Sequence, residues 1–184
     1  MLETIIIALI FCKIKGYKVK PLFKSYAIYP VIFMECINLF VQFNIFNGNY
    51  SFIKYAGILK MFYLCSYLPL IFKYEQYVSA IIGAGFIFVG GILNDIAIKL
   101  NGGFMPVFPS LSYLTGYAKV DAFSKVNDIH ILGGANTNAK FLTDIFDLGY
   151  SVLSIGDIFI RAFVFIVIYS SVKKINKCLS YNDI

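Results

Sequence analysis

The residues able to do chemistry in this chain collect around one part of it. Asn94 and Asp95 stand near the end of one long apolar run, and Asp157 and Arg161 open the last one. Between them lie Asp128, His130, Asp144 and Asp147, with His130 the single histidine of 184 residues. Two carboxylates brought together from different segments can share a proton and activate water, as in an aspartyl hydrolase. Asp157 with Asp144 or Asp95 is the candidate catalytic pair. Ionisable groups near membrane depth are a functional-site hypothesis by default. Asp95, Asn101, His130, Asp144, Asp157 and Arg161 are accordingly the candidate ligand-binding set. The alternative is an ion-pair network that fastens a loop to a helical bundle. Asp157 and Arg161 are four residues apart, share a helix face and can pair. Residue types alone fix neither an enzyme activity nor a cofactor.

Other chemistries find less material. One histidine without a second at helical spacing makes a weak metal signal. Cys12, Cys36, Cys65 and Cys178 lie in or beside apolar runs without C-x-x-C spacing, so neither a disulfide framework nor a thiolate site is expected. Asn101-Gly102-Gly103 lacks the phosphate-loop pattern and reads as a turn. Ser154–Ile160 is loosely similar to the second catalytic segment of lipoprotein signal peptidases. Their Gly-Asn-x-x-Asp-Arg motif is missing, because Lys140-Phe141-Leu142-Thr143 precedes Asp144.

The elements that would position these groups are apolar helices. Hydrophobic residues make up 59% of the chain and charged residues only 14%, with mean hydropathy +0.76. A soluble domain has about 45–50% and about 25%. The excess is gathered into runs over about 2–14, 27–46, 52–72, 77–100 and 152–172. The predicted fold is all-α: a polytopic membrane bundle of one domain. It has five spans, or four and an interfacial amino-terminal helix, since the first run is short. Lysines at 13–24, 73 and 173–177 flank these runs, placing them and the carboxyl terminus in the cytoplasm and the long 101–151 segment outside. That arrangement also accounts for the net charge of +6 without a nucleic-acid partner. The expected partners are membrane lipid, another membrane protein or a second copy of the chain.

Within the spans, Glu35, Asn38 and Gln42 recur on one helix face, as for groups that hydrogen-bond other helices. Gly83, Gly85, Gly90 and Gly91 predict close approach of a neighbouring helix. In the outer segment, weak amphipathic character over 110–126 and the apolar spacing from Phe141 to Leu148 predict two short helices. A segment this apolar should fold back on the outer mouth of the helices.

The order of motifs resembles a family of uncharacterised bacterial integral membrane proteins. The likeness rests on Asn101-Gly102-Gly103-Phe104-Met105-Pro106, Asp128-Ile129-His130, the stretch from Thr137 to Asp144, and Ser154-Ile155-Gly156-Asp157. It implies a membrane location and an outer-face cluster of motifs, and it carries over no catalytic residue.

Overall fold

Long apolar runs bounded by polar turns become helices in the computed structural model, which describes residues 1–119, 123 and 128–182. The helices are α1 (Leu2–Ile14), α2 (Lys20–Phe23), α3 (Tyr29–Phe46), α4 (Ala56–Cys65), α5 (Leu68–Lys73), α6 (Tyr77–Leu100), α7 (Leu111–Leu114) and α8 (Ile155–Asn182). Four stretches are long and apolar enough to cross a membrane: Tyr26–Phe46, Ile53–Lys73, Tyr77–Leu100 and Ile155–Ser180. The protein is an all-α bundle. The second stretch breaks between α4 and α5, where Pro69 has no N–H and its ring crowds the preceding turn. The first expected span is a helix of 13 residues, about 20 Å long at 1.5 Å per residue and short of the hydrocarbon core.

The chain divides into two compact units. The first comprises Met1–Ile37, Ile58–Ile87 and Arg161–Ile184. Its core holds Ala8 and Cys12 of α1, Val31 of α3, Tyr63 and Tyr67, and Val164, Val167 and Ile168 of α8. Glu35 is only 6% exposed here. It accepts a hydrogen bond from the Tyr63 hydroxyl at 2.5 Å, and that hydroxyl lies 2.7 Å from the hydroxyl of Tyr67. A carboxylate in an apolar run is thus held by a neighbouring helix. A Cβ on Gly83 would stand 2.7 Å from the ring of Phe163, so this glycine lets α6 and α8 close up.

The second unit comprises Asn38–Gly57 and Phe88–Ile160. Here Gly102 and Gly103 take φ of +68° and +91°, which glycine adopts without steric cost. The Gly103 N–H returns to the Ile98 carbonyl at 2.9 Å and closes the end of α6. The chain then enters β1 (Met105–Val107), which pairs in parallel with β2 (His130–Leu132) in the register Met105 to His130. Met105 packs on Ala97 of α6 and on Leu142. On the other side of β1, the Asp144 N–H donates to the Pro106 carbonyl at 3.1 Å, and the Phe108 N–H donates to the Asp144 carbonyl at 2.8 Å. A hairpin of β3 (Phe146–Asp147) and β4 (Val152–Leu153) turns at Gly149, whose φ is +84°.

Three expectations change. The helix expected from Phe141 to Leu148 is a 3-10 turn over Lys140–Leu142 followed by extended chain, because β1 takes the backbone of Asp144 into its ladder. Of the helix expected over 110–126, Leu111–Leu114 and Phe123 are helical and 115–119 are turn and irregular chain; positions 120–122 and 124–127 lie outside the described residues. The last helix begins at Ile155 rather than 152 and runs on through Lys173, Lys174 and Lys177.

Candidate functional site

The parallel pairing explains how the histidine meets a carboxylate distant in sequence. β1 carries His130 on one flank and Asp144 on the other, and their side chains reach toward each other across it. His130 Nε2 lies 3.6 Å from Asp144 Oδ2. At this spacing the two do not hydrogen-bond, and they attract as an ion pair only when the ring is protonated on both nitrogens. The other ring nitrogen, Nδ1, lies 2.6 Å from Asp128 Oδ2, while Asp128 Oδ1 accepts from the Ile129 N–H at 2.7 Å. One carboxylate therefore fixes the ring from behind and assigns its hydrogen to Nδ1. Nε2 is left facing Asp144, which is buried, with 6% of its side chain exposed against 42% for His130.

These three side chains line a cavity of about 370 Å³, wholly within the second unit. Its remaining wall is largely apolar and includes Ile45, Ile53, Val107 and Phe123. Two tyrosines add polar atoms. The Tyr50 hydroxyl is buried with no hydrogen-bond partner among the described residues. Burial, aided by nearby Tyr50, pushes the Tyr117 phenol up to about 12, so it stays a neutral donor across the physiological range. A mostly apolar hollow with a few convergent polar groups is the usual form of a small-molecule site.

Asp147 braces one edge of this hollow. Its carboxylate receives the N–H groups of Ser110, Ser112 and Gly149 at 2.6–2.8 Å and the Ser112 hydroxyl at 2.5 Å. Partial burial works against ionisation. The Ser112 hydroxyl and the three backbone donors outweigh it and hold the carboxyl below its ordinary value.

The other predicted residues have different neighbours. Asn101 ties the 138 region to the end of α6: its amide donates to the Ala97 and Asn138 carbonyls at 2.8 and 3.0 Å and accepts from the Asn138 N–H at 2.9 Å. Asp157 forms a capping box with Ser154. The Asp157 N–H donates to Ser154 Oγ at 3.0 Å, and the Ser154 N–H points back at Asp157 Oδ2 at 3.5 Å. The Ser154 hydroxyl donates to Asn94 Oδ1 at 2.7 Å, and the Asn94 amide reaches Asp157 Oδ1 at 3.4 Å. Gly156 makes this junction possible, since a Cβ there would stand 2.1 Å from Asn94 Oδ1. Asp95 is exposed and makes no hydrogen bond or ion pair with any described residue. Arg161 belongs to the first unit, where its guanidinium is paired with Glu3 of α1.

Of the six candidate ligand residues, His130 and Asp144 thus share a cavity, and neither Asp157 nor Asp95 lines it. Tyr50, Tyr117 and Glu3 were not legible as site or partner residues. The turn Asn47-Gly48-Asn49 marks where the chain reverses but carries no sign of what Tyr50 meets. Among the described residues, no group of three or more His, Cys, Asp or Glu side chains is placed to hold a metal ion.

No curated protein and no solved structure matches the chain. A family model does match it, over residues 19–169, which takes in all four apolar stretches apart from the last turns of α8. The chain belongs to the family of unknown function DUF5317.

Proposed function

We propose that this membrane protein binds a small amphipathic molecule, or the head of a lipid, in the cavity faced by His130 and Asp144. The observation that carries the reading is the ring of His130, held from behind by Asp128 and turned toward buried Asp144 on the wall of a largely apolar hollow. Two carboxylates against one imidazole favour an occupant whose polar end donates hydrogen bonds or is positively charged. Ile45, Ile53 and Val107 would take its apolar part, and the buried Tyr50 hydroxyl would gain a partner. At about 370 Å³ the cavity suits a small molecule or a headgroup rather than a whole lipid. The lysine clusters support a cytoplasmic carboxyl terminus and an outer 101–151 segment, with its cavity on that side.

The rival reading is a membrane-embedded aspartyl hydrolase using Asp157 and a second carboxylate. The capping geometry favours binding over that chemistry, because both Asp157 oxygens face donors that organise the start of α8. A small transporter subunit is a third reading, in which Glu35, Lys60 and Gln42 line a path.

Native mass spectrometry of gently solubilised protein tests the proposal. Wild type should carry a stoichiometric adduct that Asp144→Asn and His130→Gln lose and Asp157→Ala keeps. An adduct lost only with Asp157→Ala, or no adduct in any form, would overturn it.

A further inference from the structure

A second hollow, of about 270 Å³, lies wholly within the first unit and has the opposite charge. Lys173, Lys174 and Lys177 line it from the carboxyl-terminal part of α8, Glu75 and Gln76 from the turn before α6, and Ser79 from the first turn of α6. Glu75 Oε2 is 3.6 Å from Lys174 Nζ and is the one carboxylate in the wall among the described residues. The ammonium groups of Lys173 and Lys177 make no hydrogen bond or ion pair with any described residue. Three ammonium groups against one carboxylate leave an excess of two positive charges. The hydroxyl pair behind them is already polarised: Ser170 Oγ donates to Ser79 Oγ at 3.0 Å, which leaves the Ser79 hydroxyl hydrogen to donate onward.

Position narrows the occupant. Tyr77 opens one apolar stretch and Ser180 closes another, so the lysines sit where two helices leave their apolar length. Val78 and Ile81 beside the hollow are more than 70% exposed. Basic pockets at such helix ends suit anionic headgroups, because lysines there are attracted to a negatively charged membrane surface. Solvated lysines marking one side of a membrane would need no pocket and no order among themselves.

We propose that this hollow binds an anionic phosphate group, with Lys173, Lys174 and Lys177 around its oxygens and the Ser79 hydroxyl donating to one of them. The same chemistry is offered by an anionic lipid headgroup and by free phosphate. Full-length protein in mild detergent is titrated with phosphatidylglycerol, with phosphatidylcholine of the same acyl chains, and with inorganic phosphate, each followed by native mass spectrometry. Phosphatidylglycerol should be retained over phosphatidylcholine. The triple change Lys173→Gln, Lys174→Gln and Lys177→Gln should weaken its binding about tenfold or more. The triple change Lys13→Gln, Lys20→Gln and Lys24→Gln removes the same charge elsewhere and should leave binding within about twofold. Arginine at all three pocket positions keeps the charge and should retain binding, which separates loss of a site from loss of fold. Inorganic phosphate that competes with the lipid, with the same dependence on the pocket lysines, would make soluble phosphate an occupant of the site. Equal weakening by the two glutamine triples, or no preference between the two lipids, would overturn the proposal.

Discussion

His130, Asp128 and Asp144 were legible as candidates because ionisable side chains in an otherwise apolar chain are few. Their grouping was not, since it depends on a parallel pairing between Met105 and His130 that no local pattern announces. Asp157 shows the opposite case. Its type and place suggest chemistry, yet a carboxylate at a helix start is first used by the backbone, and Ser154-x-x-Asp157 is a capping sequence before it is anything else. Asp157→Ala should therefore cost about 1 kcal/mol of stability, read as a lower midpoint of thermal unfolding in detergent. Asp147 carries a pH signature. Its folded carboxyl is held below the ordinary 3.8, so its stabilisation is complete above that value and is lost as the pH falls through the lower folded one. In hydrogen exchange, Asp147→Asn should loosen the amides of Ser110, Ser112 and Gly149 at neutral pH. The difference from wild type should shrink under acid. A difference that grew under acid would contradict this account of the loop.

At the scale of elements, the apolar runs coincide to within a residue or so with three of the long apolar helical stretches, Tyr26–Phe46, Ile53–Lys73 and Tyr77–Leu100. Hydropathy marks the apolar part of a helix and not its end. That is why α8 outlasts its expected boundary by continuing through residues with ordinary helix propensity. The four short strands escaped because pieces of two or three residues show no alternation, and their partners are remote or irregular. The glycines of α6 divide by what faces them. Gly83 meets Phe163, and Gly90 meets Gly156 and Ile160, whereas Gly85 and Gly91 have nothing within 4 Å. Gly90→Ala and Gly156→Ala should each destabilise the protein by about 1–3 kcal/mol through overpacking against backbone. Gly85→Ala and Gly91→Ala should be neutral or mildly stabilising, by up to about 1 kcal/mol, since alanine is the better helix former. Thermal unfolding of the four variants checks the split, and equal losses at all four would contradict it.

At the scale of the molecule, composition pointed to a membrane protein, because 59% hydrophobic and 14% charged residues depart from the balance of a soluble domain. The sidedness proposed from the lysines is open to direct test. A membrane-impermeant thiol reagent added outside intact cells should label Asn136→Cys and spare Lys177→Cys, with the native cysteines replaced by alanine. The reverse pattern would invert the topology and place the cavity on the cytoplasmic side. The cavity itself is the centre of the account, and a high-resolution structure of protein extracted from its native membrane tests it most directly. Density for a bound molecule, contacting Asp144 and His130 Nε2 with its apolar part toward Ile45 and Ile53, is the predicted result. A collapsed or water-filled cavity, with the Tyr50 hydroxyl turned onto Asp144, would contradict it.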